Sequence, residues 1–342
     1  MPQRPIKSLP DTELCDWLTA HGQPAFRLTQ LQQWLYARRV TGFADMANLP
    51  AALRQALQTD FLAFSLETVT RQEADDGTIK WLFRLPDGET IETVLLRTPE
   101  RRTVCISTQV GCPVRCTFCA SGREGLIRDL EPAEIIDQVV AACHEAGERV
   151  DNLVVMGMGE PLLNLDNVIA ALDRICAAEG LGLGARHVTI STSGIVPGIR
   201  RLAELGRQWH LALSLHAVTD EQRARLIPPR HRYPLAEILE ACRLYRASTG
   251  RIVTLEYALM TGTNDNDDDA RALAAIARDL DARINLIPCN PVSEHCATPA
   301  AGRVRDFEAQ VRRLGAKITV RQRKGERIQA ACGQLRRRPD AP

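Results

Sequence analysis

The chain has 342 residues, enough for one large domain or two ordinary ones, and its 43 Lys plus Arg balance 42 Asp plus Glu to a net charge of +1. That balance says nothing either way about nucleic acid, and eleven cysteines scattered along so long a chain exclude a small disulfide-stapled secreted scaffold. No apolar run approaches the length of about 18 residues that a membrane span needs, and residues 1–11 carry no apolar leader core, so a soluble cytoplasmic protein is expected.

Residues 1–66 read as a small helical domain. Leu14, Trp17 and Leu18, then Leu28, Leu31, Trp34 and Leu35, then Leu53 and Leu57 fall at helical spacing, interrupted by Gly22, Gly42 and Pro50. Arg27, Arg38 and Arg39 are its candidates for contact with a partner. From 67 to 101 the pattern changes to period two around the turn Pro86-Asp87-Gly88-Glu89, which predicts a β-hairpin linker.

Residues 102–342 alternate short apolar strands with helical stretches, the signature of β/α units on a parallel sheet. Strands are expected at 104–106, 153–156, 187–191, 211–215, 253–258, 284–287 and 318–321, and helices at 132–146, 165–178, 235–247, 268–281 and 303–314. The class is α/β, a partial (β/α)6 barrel behind an N-terminal helical domain. Polar motifs fall where strands end, and chemistry on such folds gathers there. They are Gly157-Met158-Gly159-Glu160-Pro161, Ser191-Thr192-Ser193-Gly194, Ser214-Leu215-His216 and Pro288-Cys289-Asn290-Pro291. Arg321, Arg323, Lys324, Arg327, Arg336, Arg337 and Arg338 form a basic end suited to phosphates, or a solvated terminus.

Cys112, Cys116 and Cys119 stand in Cys-Pro-Val-Arg-Cys-Thr-Phe-Cys after the first barrel strand. Structural zinc needs a fourth ligand, and the nearest following histidine is the distant His144. The spacing also differs from the two-residue repeats of electron-transfer ferredoxins. Three thiolates on a four-iron cluster leave one iron open to a small molecule.

This Cys-x3-Cys-x2-Cys loop resembles the cluster motif of the radical S-adenosylmethionine enzymes. That resemblance implies a [4Fe-4S] cluster whose open iron chelates the amine and carboxylate of S-adenosyl-L-methionine and, on reduction, cleaves it to a 5'-deoxyadenosyl radical. Further stretches sharpen the likeness: Ile-Glu-Thr-Val around Glu92, Val-Cys-Ile-Ser-Thr-Gln-Val-Gly-Cys from Val104, residues 156–164, residues 214–216, the Asn-Leu-Ile-Pro-Cys-Asn-Pro run ending at Pro291, and Ala-Ala-Cys-Gly-Gln-Leu ending at Leu335. Together, covering nearly the whole chain in order, they resemble the RlmN/Cfr family of RNA methyltransferases.

The resemblance implies methylation of adenosine C2 in the peptidyltransferase region of 23S rRNA and at adenosine 37 of tRNA. In that scheme Cys332 takes a methyl group from one S-adenosylmethionine, a second supplies the radical, and Cys105 releases the adduct by forming a disulfide with Cys332. Glu92 is the implied proton acceptor. Gly159, Glu160, Ser191, Ser214, Leu215, His216 and Asn290 are the implied cofactor contacts, and Cys112, Cys116 and Cys119 the implied cluster ligands. A flavodoxin or ferredoxin is the implied electron donor to a monomeric enzyme. Pro161-Leu162-Leu163 after Glu160 resembles the C2 branch more than the C8 branch, which modifies the same ribosomal adenosine. Cys289, where an aromatic residue is usual, and the segment 294–302 depart from the pattern. The alternatives are Cfr-like C8 methylation, a radical enzyme acting on another substrate, and a non-enzymatic iron–sulfur module that binds RNA or senses redox state.

Overall fold

A computed structural model of the chain describes residues 3–290, 297–322 and 324–335. Arg323, Arg336, Arg337 and Arg338 of the basic end, and 294–296 of the divergent segment, therefore lie outside the described residues.

The N-terminal module contains α1 (Asp11–Ala20), α2 (Phe26–Gln32) and α3 (Ala51–Asp60), whose apolar faces bury Leu14, Leu18, Leu31, Leu53 and Leu57. It is fastened to the rest of the chain through a buried ion pair, Lys7 Nζ to Asp137 at 2.6 Å, with Asp137 also accepting from the Ser65 hydroxyl at 2.7 Å. Burying two charges is tolerable here because the remaining polar atoms are satisfied as well.

Ten strands form one sheet whose spatial order is the chain order: β1 (Glu67–Glu73), β2 (Ile79–Arg84), β3 (Thr90–Thr98), β4 (Arg101–Cys105), β5 (Asn152–Val155), β6 (Val188–Thr192), β7 (His210–Ser214), β8 (Thr254–Leu259), β9 (Arg283–Pro288) and β10 (Lys317–Val320). The first four run antiparallel and the last seven, from β4, run parallel. The hairpin pairs Ile79 with Leu95 and Arg84 with Thr90, and β3 continues the sheet onto β4 through Val94 and Cys105.

Six crossovers join the parallel strands. They are α4 (Pro132–Ala146), α5 (Leu165–Cys176), α6 (Val196–Leu205), the pair α7 (Asp220–Leu226) and α8 (Leu235–Thr249), α9 (Asp267–Asp279), and α10 (Ala301–Arg313). The result is the expected partial barrel of six β/α units, closed off by one more strand. Its strands read as apolar runs because helices cover one face and the barrel interior the other, as at the fully buried Leu211 and Leu213. The α4 helix shows how local sequence sets an element: Pro132 opens it, Glu131 and Glu134 form a capping box, and Gly147 ends it at φ 71°. The α6 helix was not expected, since Pro197 and Gly198 in its first turn resemble a loop. Gly198 is there for a close approach, because a Cβ on it would lie 2.6 Å from Leu162 Cβ.

Candidate active site

A cavity of about 970 Å³, counting its open mouth, lies at the C-terminal ends of the parallel strands. One wall is the cysteine loop. It leaves the short hairpin of Gln109–Gly111 and Leu126–Asp129, and Cys112, Cys116 and Cys119 all line the cavity. The loop is held by Cys112 N–H donating to Gly125 O at 3.0 Å and Thr117 N–H to Leu226 O at 3.0 Å. Two glycines make its path possible: a Cβ at Gly111 would lie 1.9 Å from Gly125 O, and one at Gly122 would lie 2.7 Å from Arg115 Cα. Burial pushes the Cys112 thiol up to about 12 and the Cys116 thiol well above its ordinary value. Thiolates become stable on such a wall beside a strong positive charge of the kind iron supplies. Among the described residues no three His, Cys, Asp or Glu side chains are placed to hold one metal ion. Three thiolates that each bind a separate iron of a cluster fit the loop.

The opposite wall comes from the strand ends. Glu160 is buried, its two carboxylate oxygens accepting from Ser193 N–H at 2.7 Å and Leu162 N–H at 3.2 Å, and burial raises its pKa despite those bonds. An ammonium group on a ligand would favour the charged form. Gly159 borders the cavity, but its conformation at φ 108° is required by the chain beneath, since a Cβ would lie 2.8 Å from Gln109 Cβ. The Ser191 and Ser214 hydroxyls, on β6 and β7, are 3.2 Å apart at the cavity wall. His216 has a left-handed backbone (φ 54°) and accepts the Ala258 N–H on Nδ1 at 3.0 Å, which leaves Nε2 as the donor. Burial lowers its pKa to about 3, so the ring is neutral. Asn290 borders the same cavity, and its Nδ2 donates to Cys332 O at 3.1 Å. Cys289, the departure from the family pattern, is also part of the lining.

Cys332 borders this cavity and a second one of about 610 Å³, likewise counting its open mouth, in whose wall Cys105 stands. Two cysteines more than two hundred residues apart are thus brought to one place. Both are free thiols, so the disulfide expected between them is absent. Their surroundings differ: Cys105 is buried at the end of β4, with its pKa pushed up to about 12 chiefly by that burial, while Cys332 is half-buried. The loop that carries Cys332 is pinned by hydrogen bonds to the opposite loop. Ala120 N–H donates to Gly333 O at 2.7 Å and the Ser121 hydroxyl to Leu335 O at 2.6 Å, which ties it to the cluster loop.

Two expected site residues stand apart. Glu92 borders neither cavity; it is buried on β3 in an ion pair with Lys80 at 2.8 Å. Leu215 is fully buried and contributes only its backbone, with N–H donating to Glu256 O at 3.0 Å and C=O accepting from Arg223 at 2.8 Å. The basic end divides as well. Lys324 donates to Arg97 O at 2.9 Å, Arg327 pairs with Asp75, and Arg321 lies in the wall shared by the two cavities. Sequence reading missed Glu256 as a site residue and placed Arg321 only in the basic end. A carboxylate within the apolar run of β8 and an arginine directly after β10 were the available signals.

Comparisons agree with this geometry. A model of the radical SAM superfamily matches residues 106–274, and one of the ribosomal RNA large subunit methyltransferase N-terminal domain matches residues 6–62. The chain is 47% identical over 341 residues to a probable dual-specificity RNA methyltransferase RlmN of Geobacillus thermodenitrificans, covering 98% of this chain and 93% of that protein. It is 48% identical over 341 residues to the probable RlmN of Symbiobacterium thermophilum, covering 98% and 92%. The crystal structure of a radical SAM methyltransferase from Sphaerobacter thermophilus superposes with a TM-score of 0.93 at 44% identity, covering 97% of this chain and 99% of that one. With the three-cysteine loop, the strand-end cavity and these full-length likenesses together, the chain belongs to the RlmN family of radical SAM methyltransferases.

Proposed function

We propose that this protein methylates C2 of an adenosine in the peptidyltransferase region of 23S rRNA and C2 of adenosine 37 in tRNA. The observation that carries the reading is the wall shared by two cavities: Cys332 faces the cluster loop on one side and the space bordered by Cys105 on the other. C2 of adenine is electron-poor and has no acidic proton, so its methylation calls for a radical source and a carbon carrier close together. When bound, the [4Fe-4S] cluster and S-adenosylmethionine supply hydrogen-atom abstraction and the methyl group.

The chain's own residues divide the remaining work. Cys112, Cys116 and Cys119 hold three irons and leave the fourth open. Glu160 takes the cofactor ammonium, and Gly159, Ser191, Ser214, His216 and Asn290 complete its pocket. Cys332 carries the methyl carbon to the base, and Cys105 is the second thiol, which frees the product by bonding to the Cys332 sulfur as the carbon–sulfur bond breaks, leaving a disulfide that external reductant reopens. Glu92, paired with Lys80 outside both cavities, is left out of these contacts. The enzyme works as a cytoplasmic monomer and draws electrons from a flavodoxin or ferredoxin. No helix among the described residues is long and apolar enough to cross a membrane.

The test is to incubate wild type, Cys332→Ala and Cys105→Ala with reductant, S-adenosylmethionine and RNA, then to measure nucleosides and crosslinked protein by mass spectrometry. Wild type should yield 2-methyladenosine, Cys332→Ala neither product nor adduct, and Cys105→Ala a trapped protein–RNA adduct. Full turnover by Cys105→Ala, or 8-methyladenosine from wild type, would overturn the reading.

A further inference from the structure

The second cavity is bordered by the apolar Val94, Leu96 and Ala330, by both thiols, and by Arg321. Arg321 directly follows β10, and its backbone is fixed by N–H donation to Leu286 O at 2.8 Å. Its guanidinium has Cys332, Glu256 and Cys105 as charged or ionisable neighbours. Among the described residues, however, the side chain makes no hydrogen bond. Glu256, the neighbouring carboxylate, is instead bound by Asn285 Nδ2 at 2.8 Å. A half-buried arginine with five rigid N–H donors normally spends them on acceptors. Here they border two cavities and remain available to a ligand.

Adenine supplies matching acceptors in an informative place. C2 lies between N1 and N3, each with an in-plane lone pair, whereas C8 lies between N7 and the glycosidic N9, which has none. An arginine bound to N1 or N3 therefore brings C2, and not C8, to its own neighbourhood, where the two cysteines stand. The same hydrogen bond withdraws electron density from the ring and favours addition of carbon to C2. Val94, Leu96 and Ala330 offer an apolar surface to the faces of a flipped base.

We propose that Arg321 is the anchor of the substrate base, donating to the ring nitrogen beside C2 and so setting the position that is methylated. This inference rests on the function proposed above. Its test crosses Arg321→Gln with three RNA substrates carrying adenosine, 1-deazaadenosine or 3-deazaadenosine at the target position. On adenosine, Arg321→Gln should lose about 100-fold in kcat/KM, the size of a charge-assisted hydrogen bond, and Arg321→Lys should recover part of that loss. On the deaza substrate that lacks the anchoring nitrogen, wild type should fall to the level of Arg321→Gln, and the variant should lose little more. The same loss from Arg321→Gln on all three substrates would overturn the proposal and assign Arg321 to thiol activation, and loss of bound iron would assign it to structure. Absence of methyladenosine from wild type on every RNA would instead bring down the function, and the anchor with it.

Discussion

Two loops present cysteines to the same space, and they are built on different principles. The cluster loop sets three cysteines within eight residues and is shaped by its own glycines and hairpin, so its chemistry is written in local spacing. The Cys332 loop has a single cysteine, and its place is set by hydrogen bonds to Ala120 and Ser121 and by Asn290, all distant in sequence. One loop makes a site and the other is delivered to it. Loss of local geometry should therefore disable the first, while loss of a remote partner should loosen the second.

The strongest break is replacement of Cys112, Cys116 and Cys119 together by alanine, which should abolish iron binding after anaerobic reconstitution, as read by iron and sulfide analysis. A normal cluster in that variant would refute the ligand assignment. Next, Gly122→Ala forces a Cβ against Arg115 backbone and should cost roughly 1–3 kcal/mol together with much of the iron. Gly325→Ala (φ 64°, Cβ 2.7 Å from Ala330 Cβ) should cost a similar amount of stability yet leave iron content intact. Equal iron loss in both would erase the distinction between the loops.

His216 gives a pH test on the cofactor-free protein. Its pKa in the folded chain is about 3 against an ordinary 6.5, so the unfolded chain takes up the proton first as pH falls. Its contribution is complete above about 6.5 and is lost progressively toward 3. The melting temperature should fall across that window, and His216→Gln should flatten the slope; an unchanged slope would show that other groups carry it. The smallest effect is expected from Ser121→Ala, about 1 kcal/mol for one neutral hydrogen bond. Its useful readout is faster alkylation of Cys332 than in wild type, with iron retained.

The same contrast explains what the sequence disclosed. Strands, most helices and the cluster triad were legible because periodicity and spacing are local. The α6 helix was hidden because Gly198 answers to Leu162, a contact outside its own segment. Arg321 was grouped with the basic end by charge, whereas the structure assigns it to the wall between the cavities, where the sheet places the end of β10. Glu92 and Leu215 came from resemblance, and spacing alone could not reveal that one pairs with Lys80 and the other offers only backbone.

After the first, every strand of the large sheet pairs with the strand of that sheet that precedes it in the chain. Such a sheet can be laid down in the order of synthesis, each strand adding to an edge already formed. Among the described residues, β10 and the Cys332 loop emerge last. A nascent chain thus builds most of the cofactor chamber before it acquires the thiol that would react there.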